Sequence, residues 1–183
     1  MEWRNDMEEI VLIVGDKQIE TFTNMTLSGA YTSVARQLDF SILAPTNDKE
    51  IPIVDLPIGA AVSLRVGGAE IFYGHIYDKS TSTNSHTDSY TCYDPLFVML
   101  HEDAQVTFNF KNTTPDDATR QICEAVGLDY GGCDVKGEGW DRILEDINAY
   151  EAMMTMWTLQ AKKDGKKYMP IIKDRKVYII QKG

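Results

Sequence analysis

The sequence has few of the residues on which most metal and redox sites depend. Its 183 residues include three histidines and three cysteines, and the cysteines (Cys92, Cys123 and Cys133) form no CxxC motif. The histidines form neither an HExxH motif nor a pair at metal-ligand spacing. An odd number of scattered cysteines predicts reduced, mostly buried thiols of a protein folded in a cytoplasm. We therefore expect no metal site.

Motifs for nucleotide binding and for nucleophilic catalysis are missing as well. The sequence contains no GxSxG, no GxxxxGK[ST] and no GxGxxG. The glycines between residues 130 and 139 do not follow a strand and open a helix, as a phosphate-binding loop requires. The sequence predicts no cofactor and gives no indication of an enzyme.

Long apolar runs and an excess of basic residues are also absent. The first ten residues, MEWRNDMEEI, carry acids where a signal peptide needs a basic region and an apolar run. The apolar stretches are far shorter than a membrane span. A net charge of −10 argues against general binding to nucleic acid, which needs clustered Lys and Arg. We expect neither a membrane nor a nucleic-acid partner.

The charge is distributed unevenly. Between residues 162 and 182 only Asp164 and Asp174 oppose eight basic residues, namely Lys162, Lys163, Lys166, Lys167, Lys173, Arg175, Lys176 and Lys182. This stretch carries +6, which leaves −16 for the remainder because the whole chain carries −10. One interpretation is a solvated pair of strands. The other is a complementary contact between subunits, with Lys173, Arg175 and Lys176 as the candidate interface.

The first hundred residues favour β-structure. Glu9–Val14 is a short apolar strand, and Val34–Leu43 alternates with period two, which places Val34, Leu38, Phe40 and Ile42 on one face. Gly67-Gly68 between two such runs predicts a hairpin. Residues 80–87 look like a polar loop. Several short strands separated by turns predict a small antiparallel barrel or sandwich.

Helices are predicted after a last strand at Val106–Phe110. Thr114-Pro115 begins the first helix, which has Ala118, Ile122, Ala125 and Val126 on one face and ends at Gly127. Residues 129–141 are rich in glycine and look irregular. Asn148 caps the second helix, whose apolar stripe is Tyr150, Met153, Met154, Trp157 and Ala161. A terminal hairpin follows, and Pro170 restricts its strand to an edge or a bulge.

Four acidic residues, Glu138, Asp141, Glu145 and Asp146, lie around Trp140 in the sequence. Paired carboxylates beside an aromatic ring occur in glycoside hydrolases and in carbohydrate-binding sites. A solvated acidic loop is the simpler interpretation. A cell-wall hydrolase and a carbohydrate- or receptor-binding module are therefore alternatives to a purely structural role.

Four stretches, in this order, resemble the XkdQ/YqbQ family of phage and prophage tail proteins. They are Ala35–Ile42 (ARQLDFSI), residues 58–76 with their G…V.L…G…F.G.I pattern, Tyr90–Leu96 (YTCYDPL), and Phe108–Asn112 with Thr114–Gly127. The family is related to the baseplate hub proteins of contractile phages. The resemblance implies a β-barrel domain joined to an α/β domain. It also implies a homotrimeric hub that links the tail tube to the central spike and other baseplate proteins.

The sequence therefore predicts an α+β protein. A small antiparallel β-barrel-like domain is expected over residues 1–105, and an α/β domain of two helices and a terminal hairpin over residues 106–183. The expected role is structural and non-enzymatic, in a virion tail assembled in the bacterial host cytoplasm. Family members usually continue with a second barrel-like domain. We therefore expect either that the chain is a fragment, or that its second barrel is absent or lies at another place in the order of domains.

Overall fold

The computed structural model describes residues 9–29, 34–43, 56–84, 86–135 and 137–182. They form an α+β fold dominated by antiparallel strands. The chain divides into two compact units between Asp94 and Pro95. The predicted domain limits at residues 105 and 106 stay a prediction. Residues 1–8, which carry most of the segment used to argue against a signal peptide, lie outside the described part.

The first unit is one seven-stranded antiparallel sheet. Its spatial order is β2-β1-β5-β6-β7-β4-β3. The strands in chain order are β1 (Ile10–Val14), β2 (Lys17–Ile19), β3 (Asn24–Ser28), β4 (Gln37–Leu43), β5 (Ala61–Val66), β6 (Ala69–Ser82) and β7 (Thr87–Tyr93). The edge strands β2 and β3 are joined by only four residues, which span at most roughly 18 Å. The two edges must therefore approach each other, and the sheet curls into a half-barrel.

Alternating burial along the strands forms the core of this unit. Leu38, Phe40 and Ile42 are buried on one face of β4, as predicted, whereas Val34 is only half-buried. The Phe40 ring stacks on Tyr90 of β7, with 5.1 Å between the centroids. The other buried members of the core are Leu12, Val14, Ile19, Leu56, Val62, Leu64, Phe72, Ile76 and Cys92.

The hairpin predicted at Gly67-Gly68 is confirmed between β5 and β6. Both glycines have positive φ, +56° and +83°, as a type I′ turn requires. The predicted loop at residues 80–87 is only partly right, because a turn occupies its centre and strands occupy its ends. Strand β6 continues to Ser82, and β7 begins at Thr87, with Ser80 paired to Ser89 and Thr81 to Asp88. The polar ends form strands because a neighbouring strand satisfies their backbone, which local polarity does not reveal.

Gly74 of β6 lies close to the backbone of Tyr93, the last residue of β7. A Cβ atom at this position would lie 2.1 Å from the Tyr93 carbonyl oxygen and 2.8 Å from Cζ of Phe72. Neither neighbour can yield easily, because the first is backbone and the second is a buried ring. This contact gives a physical reason for the glycine in the F.G.I pattern.

We expect Gly74→Ala to lower the free energy of unfolding by about 1–3 kcal/mol, because the added methyl overpacks the sheet. Urea denaturation followed by circular dichroism measures the loss. Gly59→Ala is a useful comparison, because a Cβ there meets no atom within 4 Å and only the positive φ of +85° opposes it. A loss at Gly74 below about 0.5 kcal/mol would contradict the close approach.

The second unit consists of two helices, a short 3-10 helix at Pro95–Leu100 and two small sheets. Strands β8 (Gln105–Thr113) and β10 (Trp140–Asn148) form an antiparallel ribbon. Strands β11 (Lys167–Lys173) and β12 (Lys176–Lys182) form the terminal hairpin. Strand β9 (Tyr130–Cys133) pairs with β12 in parallel. The expectation that residues 129–141 are irregular is therefore wrong for β9 and for the start of β10.

The first helix, α1 (Pro115–Ala125), has the predicted ends. Thr114 Oγ1 accepts the Asp117 N–H at 3.1 Å, and Pro115 occupies the first turn. Gly127 has φ +73°, and the Leu128 N–H donates to the Cys123 carbonyl at 2.8 Å, which is a Schellman motif. The predicted apolar face is only partly right. Ala118 and Ile122 are buried, but Ala125 is exposed and Val126 is half-buried, while Thr119 and Cys123 complete the buried face.

The second helix, α2 (Ala149–Asp164), also begins and ends as predicted. Asn148 Oδ1 accepts the Glu151 N–H at 2.8 Å, and Gly165 ends the helix with φ +72°. Its buried face is rotated from the predicted stripe. Met153 and Trp157 are buried as expected, whereas Tyr150, Met154 and Ala161 are half-buried. The remaining buried residues are Ala149, Ala152, Met156 and Gln160.

Candidate subunit interface

The three residues predicted to form an interface lie together at the tip of the terminal hairpin. Lys173 and Lys176 are paired across β11 and β12, and Asp174-Arg175 forms the turn between them. All four side chains are exposed. Like charges directly opposite each other on a sheet repel, so this pairing does not serve the stability of the hairpin.

The turn itself is conformationally unusual. Asp174 and Arg175 have φ of +48° and +62°, the left-handed region that a type I′ turn needs and that Asn-Gly fills most easily. An arginine in this region costs roughly 1–2 kcal/mol. The hairpin therefore keeps a cation at its tip although glycine would suit the backbone better.

We expect Arg175→Gly to raise the free energy of unfolding by about 1 kcal/mol, since it removes the backbone strain and one of several clustered cations. Thermal denaturation compares the variant with Lys176→Gly, which should be destabilised because that residue lies within a strand. Equal melting temperatures for Arg175→Gly and the parent chain would mean that contacts of Arg175 offset the strain.

The outward face of the hairpin has an apolar centre between basic ends. Both strands have the pattern Lys-x-apolar-x-apolar-x-Lys, and register places Lys167 opposite Lys182, Met169 opposite Ile180, Ile171 opposite Tyr178, and Lys173 opposite Lys176. The opposite face is buried through Tyr168, Pro170, Val177 and Ile179. We call the eight outward residues the basic–apolar face; they are Lys167, Met169, Ile171, Lys173, Lys176, Tyr178, Ile180 and Lys182. The charge pattern of the sequence indicates only one end of this face, at Lys173, Arg175 and Lys176.

A shallow groove of about 410 Å³ lies beside this face, along β9 and β12. Its walls include Tyr178, Ile180 and Lys173 as well as Gly131 and Cys133. A Cβ at Gly131 would lie within 2.1–2.6 Å of the Tyr178 ring, so glycine is what allows that ring to lie flat across β9. The apolar side chains at the centre of the face therefore form one surface with β9.

Contact through the free edge of this sheet is disfavoured. Strand β11 is an edge strand, as the proline had predicted, and Pro170 has no N–H to donate to an added strand. The proline therefore favours binding of a partner to the face of the hairpin over addition of a strand to β11.

Three of the four acidic residues around Trp140 make contacts within the second unit. Glu138 forms an ion pair with Lys163, and the Glu138 backbone N–H donates to Gln160 Oε1 at 3.0 Å. Asp141 Oδ1 accepts the Asn112 N–H at 2.7 Å. Asp146 has φ +53°, and its N–H donates to Thr107 Oγ1 at 3.1 Å, within a bulge of β10. These contacts brace the ribbon.

Two of the three thiols are buried and the third is half-buried. Burial raises the pKa of Cys92 and of Cys123 to about 12, and it also raises the pKa of the half-buried Cys133. A protonated thiol is a poor nucleophile and a poor metal ligand. Among the described residues, no group of three or more His, Cys, Asp or Glu side chains is arranged to hold a metal ion. In the same part of the chain, no helix has the length and apolar character to cross a membrane.

Comparisons with known proteins find one matching family and several similar structures. The YQBQ-like family model matches residues 25–183, which include most of both units. No curated protein sequence matches. Among solved structures, the 43 kDa tail protein of prophage MuSo2 from Shewanella oneidensis is similar with a TM-score of 0.70 and 18% identity. A tail protein from Neisseria meningitidis MC58 is similar with a TM-score of 0.67 and 15% identity.

Both similarities cover 94% of this chain, but only 55% and 50% of the two tail proteins. The chain therefore spans about half the length of these structures. At this level of identity the comparison shows a shared fold.

Proposed function

The chain belongs to the YQBQ-like family, and we propose that it is a structural component of a phage or phage-like contractile tail. In this proposal it is a baseplate hub protein that links the tail tube to the central spike, in a virion tail assembled in the host cytoplasm. The family match over residues 25–183 carries the proposal. The likeness of the fold to two tail proteins supports it.

The proposed role is assembly, not catalysis. Glu138 is engaged in an ion pair and Asp141 accepts a backbone N–H, and both contacts stabilise β10 and its surroundings. The described residues present the basic–apolar face of the terminal hairpin. Such a face suits symmetric protein contacts, in which apolar residues hold the partner and charges select it.

Three copies are the proposed state of the full-length protein. A closed three-fold ring needs heterologous contacts, in which two different surfaces of each copy meet. The charge asymmetry between the terminal stretch at +6 and the remainder at −16 supports an arrangement of this kind. Exposed charge pairs contribute only about 0–1 kcal/mol each, so charge tunes this contact and apolar side chains hold it.

Light scattering of the full-length protein at low and high salt tests this proposal. We expect a trimer that weakens in the variant with Lys173, Arg175 and Lys176 all changed to Glu. A full-length protein that is monomeric at every concentration and salt would remove the main support for a hub. A trimer indifferent to the variant would keep the hub and exclude the hairpin tip as its interface.

Glycan assays on the same protein separate the alternatives. Turnover of peptidoglycan that is abolished by Glu145→Gln would favour a cell-wall hydrolase. Binding of glycan without turnover would favour a carbohydrate- or receptor-binding module. We expect neither.

A further inference from the structure

A surface with an apolar centre and acidic flanks would complement the basic–apolar face, and the same chain exposes such a surface. Ile143 of β10 is 63% exposed, whereas its neighbour Leu144 is buried against the core. On either side along β10 lie the exposed residues Asp141 and Glu145. From residue 137 to residue 148 there are four acids and a single base, Arg142. We call Asp141, Ile143 and Glu145 the acidic–apolar ridge.

From this complementarity we propose that the basic–apolar face of one copy binds the acidic–apolar ridge of a second copy. The proposal rests on the proposed trimeric hub and names its two contacting surfaces. Ile143 packs on the apolar centre formed by Met169, Ile171, Tyr178 and Ile180. Asp141 and Glu145 face the lysine pairs at its ends.

The dimensions of the two surfaces agree. Lys167 and Lys173 are six residues apart on β11, roughly 20 Å along the strand. Asp141 and Glu145 are four residues apart on β10, roughly 13 Å at most, because register shifts interrupt the regular strand at both residues. The acids therefore fit inside the lysine frame, and long flexible lysine side chains can reach inward to meet them.

The backbone favours contact between faces over strand addition at both surfaces. The pairing of β10 with β8 has two register shifts, between Trp140 and Arg142 and between Leu144 and Ile147. Bulges of this kind blunt an edge against pairing with another chain. Pro170 does the same on β11.

A second copy is the partner that the charges favour. The two surfaces are different, lie in the same unit and have opposite charge, so each copy offers one surface to each neighbour. This is the heterologous arrangement that closes a ring. It needs only the second unit, so a further barrel domain is not required for this contact.

Cross-linking between copies tests the pairing directly. Equal amounts of ¹⁴N- and ¹⁵N-labelled chain are mixed at up to about 1 mM, because a contact smaller than roughly 1,200 Å² is weak. A carbodiimide then joins amines to carboxylates without a spacer. We expect mixed-isotope peptides that join Lys173 or Lys176 to Asp141 or Glu145, and mass spectrometry identifies them.

Charge reversal gives the second measurement. Lys173→Glu with Lys176→Glu reverses the face, and Asp141→Asn with Glu145→Lys reverses the ridge while keeping the acceptor for the Asn112 N–H. Each pair should weaken self-association by about tenfold or more in sedimentation experiments, and the four changes combined should restore much of it. Lys162→Glu with Lys166→Glu is the matched control, since both lysines are exposed in the basic stretch but lie outside the face.

The outcomes separate this inference from the proposed function. A full-length trimer whose association and cross-links ignore both reversals would overturn the pairing and leave the hub standing. Cross-links that join the lysines only to carboxylates of their own copy would likewise overturn the pairing and leave the hub standing. A monomeric full-length protein without mixed-isotope cross-links would overturn both.

Discussion

Replacing Trp157 with alanine is expected to lower the free energy of unfolding of the second unit by about 3–5 kcal/mol. The Trp157 side chain is fully buried in the middle of α2. Its Nε1–H donates to Thr119 Oγ1 of α1 at 2.8 Å, and its ring packs on Tyr168 of β11 with 4.7 Å between the centroids. Alanine would remove a contact among three elements and leave a cavity.

Chemical denaturation followed by circular dichroism measures this effect, with Thr158→Ala on the exposed side of the same helix as the control. The control should change stability by less than about 0.5 kcal/mol. A loss below about 1 kcal/mol for Trp157→Ala would mean that the site collapses around the missing ring, and Trp157 would not anchor the unit.

The second large effect is expected at Arg36, in the first unit. Arg36→Met should cost about 3 kcal/mol because it leaves the carboxylate of Asp94, whose side chain is 1% exposed, without its cation. The guanidinium Nε donates to Asp94 Oδ2 at 3.3 Å, and Nη1 donates to the Ile71 carbonyl at 2.9 Å. The expected cost is at the lower end for a buried pair because Arg36 is itself 37% exposed and its backbone N–H still donates to Asp94.

Lys163→Met is the matched control, because the Lys163–Glu138 pair is exposed on both sides and should contribute less than about 1 kcal/mol. A double-mutant cycle with Asp94→Asn isolates the coupling between the two side chains. Equal losses for Arg36→Met and Lys163→Met would show that Asp94 is satisfied by its other contacts.

Features with a local cause could be predicted from the sequence. Thr114-Pro115, Gly127, Asn148 and Gly165 set the ends of both helices through contacts within a few residues, and the structure has those ends. The Gly67-Gly68 hairpin is local in the same sense. The exact buried face of a helix is not local, because it depends on what packs against the helix, and the stripe predicted for α2 is accordingly rotated.

Features with a distant cause were missed. Strand β9 receives its pairing from β12, so that Tyr130 lies beside Val177, 47 positions later in the sequence. A glycine-rich stretch gives no local signal of that partner. Gly131 is required by the ring of Tyr178, which again is distant in the sequence.

The candidate interface falls between these cases. Net charge pointed to Lys173, Arg175 and Lys176, and the structure places them together. The apolar centre was missed although the sequence contains its pattern. Once a hairpin is assumed, the Lys-x-apolar-x-apolar-x-Lys repeat of both strands predicts that the apolar residues lie on one face between the lysines. Ile143 could not be found in this way, because its strand was not predicted and its exposure depends on the register of β10 with β8.

Quantitative mass spectrometry of purified tail particles tests the central claim most directly. If the chain is a hub protein, it is present in every intact particle at the copy number of a single trimer, far below that of the tube protein. Its absence from intact particles, or a copy number that follows the length of the tube, would contradict this account.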